Sequence, residues 1–394
     1  MLDAALFGLI LVSLGIGFLI GRQERRHQYT IDSSTGLDSE YFVGLNYLLN
    51  EQTDEAIESF IRALELNSDT VDTFMILGRL FRQRGELDRA IQTHQDLLAR
   101  PSLTREQMLD VQLALARDYM KAGLFDRAEA LLKDIVRLNG RRWRGWRESV
   151  NALLSIYEKE KEWEQAIALL ATLKGGMSQE YANRRSHYLC EVAEKAIMHS
   201  DILSARKYLR QAVRASQKNV RVSLLLGQLE LRAGNPGDAV RALEKIISQD
   251  LAFIPESVSL LEEGYSQLSS QRGLTTYLGR CLREAPSAAV IMASSSLIAQ
   301  QQGEKEAGRF VAEQIIRRPS LKGLNALIDI HLQMTDGRAR QNLVMLRGLT
   351  GRLEDSKPVY RCRLCGFDGK DLHWQCPRCH EWGSMNPIMG LEGE

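Results

Sequence analysis

The chain has 394 residues, 44% of them hydrophobic and 26% charged, with 51 basic against 50 acidic side chains and a formal net charge of +1. Such balance argues against the broad basic footprint of a nucleic-acid protein. Six cysteines, four of them crowded into the last stretch and two solitary (Cys190 and Cys281), do not make the pattern of a disulfide-stapled secreted domain.

The first element is an uncharged apolar run from Ala4 to Gly21, rich in Leu, Ile, Phe, Val and Gly. Eighteen helical residues reach about 27 Å, enough for a hydrocarbon core. A cleaved signal peptide needs basic residues before the apolar run. Here Asp3 precedes it, and Arg22, Arg25 and Arg26 follow. The expectation is a retained single-pass membrane anchor over residues 1–21, with all that follows on the cytoplasmic side. Ser13, Gly17 and Gly21 share one face of that helix. They suit close approach by another membrane helix, and equally the ordinary glycine content of membrane helices.

A polar tether over residues 22–36 leads into a stretch that repeats with a period near 34. Gly44, Tyr47, Ala56, Phe60 and Ala63 are followed 34 residues later by Gly78, Phe81, Ala90, His94 and Leu97. The set continues, with slips of about four residues, through Ala116/Ala128/Leu132, Leu154/Ala166/Leu170, Ala193/Ala205/Leu209 and Gly227/Ala239/Leu243. Gly273 and Pro286, then Gly303 and Pro319, suggest two degenerate repeats more. Small residues where paired helices cross, with larger apolar ones between, resemble tetratricopeptide repeats. That resemblance implies an all-α superhelix over residues 37–356, with a groove lined by the first helix of each pair. Mapped onto this chain, the groove face selects Arg79, Arg82, Arg117 and Lys121, with Arg221 and Arg232 further on. Two readings stay open: a basic groove for an acidic partner segment, or an ordinary solvated face. His94, at a repeat core position, is expected to pack rather than to catalyse.

Within the array, Arg141-Arg142-Trp143-Arg144-Gly145-Trp146-Arg147 has the composition of a stacking platform for nucleic acid. The balanced charge favours the plainer reading of two tryptophans anchoring a repeat junction, with arginines extending outward.

Residues 357–394 carry Cys362-x2-Cys365-x10-Cys376-x2-Cys379. Each Cys-x-x-Cys pair can curl into a knuckle whose two sulfurs face one ion, and Cys365-Gly366 and Cys376-Pro377 place turn-forming residues where knuckles need them. The four thiolates predict one tetrahedral zinc, with iron as the alternative. A segment this short cannot bury a sufficient core, so the ion supplies folding energy, about 10–16 kcal/mol for structural zinc. Tyr360 and Phe367 are expected to pack over the metal. Trp374 and Trp382 fit either that miniature core or a recognition surface, and His373 and His380 are expected to be solvated neighbours. The tail resembles zinc-ribbon and rubredoxin-like knuckles, with an inter-knuckle separation shorter than in electron-carrying rubredoxins.

No phosphate-cradling glycine loop, His-Glu-x-x-His or Gly-x-Ser-x-Gly is present, the seven histidines are scattered, and a four-thiolate shell leaves no open position for a substrate. The chain is expected to be no enzyme.

Anchor, repeat array and knuckle tail together, with Cys362-Arg363-Leu364-Cys365-Gly366 and Cys376-Pro377-Arg378-Cys379-His380-Glu381-Trp382, resemble the lipopolysaccharide assembly protein B family of Gram-negative bacteria. The resemblance covers essentially the whole chain. It implies a heat-shock-linked regulator in the bacterial inner membrane. Such a protein is an adaptor that promotes degradation of the committed-step deacetylase of lipid A synthesis by the membrane-anchored protease FtsH. A second inner-membrane protein restrains it when lipopolysaccharide accumulates. The alternatives are a scaffold assembling lipopolysaccharide enzymes, a rubredoxin-like electron carrier, or an RNA-binding scaffold.

Overall fold

In the computed structural model, residues 35–66, 70–139, 143–173 and 178–390 are described. The expected anchor with Ser13, Gly17 and Gly21, most of the tether, Arg141 and Arg142 lie outside them. Among the described residues no helix is long and apolar enough to cross a membrane.

The chain divides into two units, one ending at Lys161 and one beginning at Glu162. The first contains α1 (Thr35–Leu49), α2 (Thr53–Leu66), α3 (Val71–Arg84), α4 (Leu87–Leu98), α5 (Arg105–Lys121), α6 (Phe125–Asn139) and α7 (Trp146–Glu160). The second runs through α8 (Trp163–Thr172), α9 (Gln179–Met198), α10 (Ile202–Ala215), α11 (Val220–Arg232), α12 (Pro236–Leu243) and the single turn α13 (Ile246–Gln249). It continues with α14 (Ile254–Gln267), α15 (Gln271–Glu284), α16 (Ala288–Gln302), α17 (Glu304–Arg317), α18 (Leu321–Met334) and α19 (Gly337–Ser356). Consecutive helices pack as pairs, α1 on α2, α3 on α4 and α5 on α6 in the first unit, α9 on α10 and α11 on α12 in the second.

The pairs follow from the apolar spacing. Ala56, Ala90, Ala128, Ala166, Ala205 and Ala239 are all fully buried. So are the residues one turn later, Phe60, His94, Leu132, Leu170, Leu209 and Leu243. Opposite the large residue, the first helix must be bare. A Cβ on Gly78 would come within 2.4 Å of the His94 ring, and one on Gly227 within 2.5 Å of Leu243. Helix starts are set locally: the Thr104 hydroxyl accepts from the Gln107 N–H, and the Gln107 side-chain carbonyl accepts from the Thr104 N–H.

The helix pairs continue past the last repeat readable in the sequence, with α18 and α19 forming one more. After Ser356 the chain turns to a small three-stranded sheet in the order β2-β1-β3: β1 (Tyr360–Cys362), β2 (Asp368–Gly369) and β3 (Met385–Pro387), both pairings antiparallel.

Candidate metal centre

The four cysteine sulfurs all lie within 4.8 Å of one another, and no other His, Cys, Asp or Glu among the described residues joins such a group. Cys362 and Cys379 sulfurs are 3.7 Å apart, Cys365 and Cys376 sulfurs 3.6 Å. A tetrahedron of zinc–sulfur bonds near 2.3 Å has edges of about 3.8 Å, so the thiolate set fits a tetrahedral ion.

Two matching turns build this set. The Gly366 N–H bonds to the Cys362 carbonyl at 3.1 Å, and the His380 N–H to the Cys376 carbonyl at 2.9 Å. Each leading cysteine then donates its own N–H onward, Cys362 to Phe367 at 2.8 Å and Cys376 to Glu381 at 3.0 Å. The residue after each knuckle is left-handed: Gly366 at φ 69° and His380 at φ 57°. Glycine takes that conformation freely, while histidine holds it at a cost.

The electrostatics call for a cation. Burial acts to raise the Cys362 thiol, but the Ser384 hydroxyl and the N–H groups of Cys365 and Leu364 outweigh it and bring it down to about 6. At Cys379 the Glu381 N–H favours the thiolate, yet burial and the sulfurs of Cys376, Cys362 and Cys365 push it up to about 12. Like-charged sulfurs resist joint ionisation, and a bound metal removes that resistance. His373 and His380 are exposed and outside the group. Tyr360, Cys362, Cys376 and Met385 form the module's own small core, with Phe367 packed on it.

The two remaining aromatics face elsewhere. Trp382 is 5% exposed, stacked on His187 at 5.1 Å and edge-on to Tyr188 at 5.7 Å and Trp163 at 5.9 Å. Trp374 stacks on Phe253 at 5.6 Å and lies tilted against His187 at 6.3 Å. Thus neither tryptophan belongs to the core over the metal; both seat the module on α8, α9 and the turn before α14. Arg221 lies beneath the pair, its guanidinium 5.9 Å from the Trp374 ring centre and 6.0 Å from that of Trp382. It is ion-paired with Glu191 at 2.7 Å and Glu194 at 2.9 Å. The Tyr360 hydroxyl donates to Glu256 at 2.6 Å, and Arg363 and Asn386 each reach Asp250 at 3.5 Å.

The groove candidates have mixed positions. Arg82 is committed to fully buried Asp118 at 2.6 Å, and Asp118 also holds the His94 Nδ1 at 2.5 Å. Arg117 pairs with Glu148. Arg79 and Lys121 are exposed, as is Arg232, whereas Arg221 is buried under the module. A 420 Å³ cavity in the first unit is lined by Asp72, Asp110 and Glu148 as well as Arg117 and Arg144, so its lining is mixed in charge rather than basic. In the Arg/Trp cluster, Trp143 is buried, its ring against Gly145, and Arg144 pairs with Asp110 at 2.8 Å. The seat formed by Trp163, His187, Tyr188, Arg221 and Glu256 was not legible in the sequence. No spacing rule joins residues 187 and 382, and the available hint was a pair of tryptophans in a module too small to bury both.

A helical-repeat protein carrying a four-thiolate module is the class these features define. The rubredoxin metal binding domain model matches residues 360–387, and tetratricopeptide repeat models match 44–102, 113–179 and 196–262. Lipopolysaccharide assembly protein B of Escherichia coli (strain K12) is 34% identical over 389 residues, covering 98% of this chain and 99% of that protein. The Haemophilus influenzae protein of the same name is 31% identical over 397 residues, covering 98% of each. The chain belongs to the lipopolysaccharide assembly protein B family. Among solved structures, the TPR2AB-domain:pHSP90-complex of yeast Sti1 superposes with a TM-score of 0.35 at 15% identity, over 70% of this chain and 97% of that one, too loosely to carry an argument.

Proposed function

We propose that the chain is a non-enzymatic, membrane-tethered adaptor that controls lipopolysaccharide synthesis by presenting the committed-step deacetylase of lipid A synthesis to FtsH. The observation that carries this reading is the full-length match to proteins named for lipopolysaccharide assembly. Two features support it. The described residues form stacked helix pairs, an architecture for holding other proteins. The only group of His, Cys, Asp or Glu side chains among them placed to hold a metal is the four-thiolate site, which leaves the ion no open position.

In this reading the amino-terminal run anchors the chain in the inner membrane, with repeats and metal module on the cytoplasmic side. Zinc is the expected ion, and it would supply folding energy to the module. Tethering on one membrane raises the effective concentration of protease and substrate, so weak individual contacts suffice. An inner-membrane protein that senses lipopolysaccharide would set the level of activity.

Pulse–chase of the deacetylase in cells depleted of this chain is the test. The adaptor reading expects the deacetylase half-life to lengthen several-fold and to shorten again on re-expression. The word "assembly" in the relatives' name favours a second reading, a scaffold for lipopolysaccharide enzymes. An unchanged half-life together with loss of complexes among those enzymes would select the scaffold.

A further inference from the structure

The module and its seat place two binding events in one structure. On the module side are four thiolates and, two and three residues beyond the second knuckle pair's ends, Trp374 and Trp382. On the repeat side is a cleft lined by Trp163, His187, Tyr188 and Phe253, floored by Arg221 with Glu191 and Glu194. The helices that carry His187, Tyr188 and Arg221 have a core that no module residue joins: α9, α10 and α11 share a cluster containing Leu189, Ala193, Leu209 and Leu229.

The module does not have that independence. Its strands are two or three residues long, and its buried core is Tyr360, Cys362, Cys376 and Met385, two of which are ligands. A segment of this size does not hold a fold by apolar burial alone. The tight approach of Gly383 to the cleft depends on that fold. Gly383 sits at φ 66°, and a Cβ there would come 3.2 Å from the His187 Nε2. The Gly383 N–H also bonds to the Trp374 carbonyl at 2.7 Å, so this turn ties together the segments that bring Trp374 and Trp382 against the His187 ring.

The docked state also carries a penalty. His187 Nδ1 and Arg221 Nη1 are buried without a hydrogen-bond partner among the described residues, and desolvating a polar group without pairing it is unfavourable. Cation–π and ring contacts oppose this. A contact made by a module that needs an ion to fold is sensitive to whether the ion is there.

We propose that the cleft at His187 and Arg221 is a recognition site for paired aromatic side chains, occupied in cis by the chain's own metal module, with the metal as its latch. Metal loss unfolds the knuckles, withdraws Trp374 and Trp382, and opens a cleft that combines ring faces with Arg221, Glu191 and Glu194. Linkage requires the reverse as well: whatever weakens docking weakens metal binding by the same factor. Residues of the repeats that touch no sulfur are therefore positioning residues for the metal site. The inference rests on the metal reading of the four cysteines and is independent of which partners the adaptor serves.

The test uses the full-length protein in detergent and zinc alone as the probe, with a chromophoric chelator in competition. His187→Ala and Glu256→Ala are both on the repeat side, and Arg79→Ala, in the other unit, is the control. The expected result is zinc affinity weakened about 5–150-fold by His187→Ala, less by Glu256→Ala, and unchanged by Arg79→Ala. Circular dichroism establishes that the helices remain. In the reverse direction, chelation should raise hydrogen exchange in residues 179–198 and 220–232 but not in 71–84. Wild-type zinc affinity in both repeat-side variants, or exchange that rises only within 360–387, overturns the latch. A wild-type chain that binds no zinc overturns the metal reading itself.

Discussion

At the scale of single residues, the knuckles show how little sequence specifies a metal site and how much backbone supports it. Four cysteines set the chemistry, and the matched N–H to carbonyl bonds at Gly366 and His380 set the geometry. Cys376→Ser is expected to reduce bound metal well below one ion per chain; full stoichiometry by elemental analysis would contradict the assignment. The left-handed residue differs between the two knuckles, with His380 holding φ 57° where the first has glycine. His380→Gly should therefore stabilise the metal-bound module by up to about 1 kcal/mol, read as a higher chelator concentration for half-release. Gly383→Ala should do the opposite, because it meets both a left-handed φ and the His187 ring. Cys190 behaves differently from the ligands. Burial pushes its thiol up to about 12, against the opposing charge of Arg221, so it is an inert core residue.

At the scale of elements, the repeat is punctuated by a backbone conformation rather than by a residue type. A left-handed residue recurs in the turns between consecutive helices at Glu51, Gly85, Gly123, Lys161, Ser200, Gly234, Ser269 and Gly303, and opens α19 at Gly337. Where it is glycine, as at Gly85 and Gly123, the repeat was plain in the sequence. Where it is Glu51, Lys161, Ser200 or Ser269, the same conformation is held without a compositional signal, so the turn itself was not legible there. The buried Ala and its apolar partner one turn later were legible throughout the first six repeats because core packing restricts size at both positions. His94 is the exception in chemistry but not in place: Asp118, from the next pair, holds its Nδ1 and also Arg82. Asp118→Ala removes the shared acceptor and leaves buried polar groups unpaired, so it is expected to cost about 3–5 kcal/mol. The check is urea denaturation; a change below about 1 kcal/mol would show that the network is not structural. The groove face was the least legible part. First-helix position identified cations, but only the fold shows that Arg82 and Arg117 are already paired while Arg79 and Lys121 are exposed.

At the scale of the whole molecule, chain ends far apart in sequence carry the features that distinguish this protein from other repeat arrays. The tail packs back on α8, α9 and the turn before α14 of its own unit, and this seat links stability to pH. Burial, reinforced by the Arg221 charge, lowers His187 to about 3, against about 6.5 when unfolded. Between those values the unfolded chain binds a proton that the folded chain does not. The contribution is complete above pH 6.5 and is lost as pH falls towards 3, by on the order of 1 kcal/mol per pH unit. With zinc kept saturating, the urea midpoint should fall between pH 6.5 and 5.5 in the wild type and less in His187→Gln; parallel slopes would remove His187 from the account. The amino-terminal run lies outside the described residues, and its role is testable by deletion. Removing Met1 to Gly21 should leave folded repeats and a loaded metal site but a deacetylase half-life close to that of depleted cells. Normal turnover in that truncation would show the anchor to be dispensable.

The adaptor account stands most directly on what the repeats hold. A photoreactive residue at Lys121, an exposed cation of the first unit, would be introduced into the full-length chain in cells, and crosslinked proteins identified by mass spectrometry. The account predicts the lipid A deacetylase, with FtsH alongside it, and loss of both when Arg79, also exposed on the first unit, is reversed to Glu. Recovery of later lipopolysaccharide enzymes alone, or of neither protein while turnover of the deacetylase still depends on this chain, would contradict it.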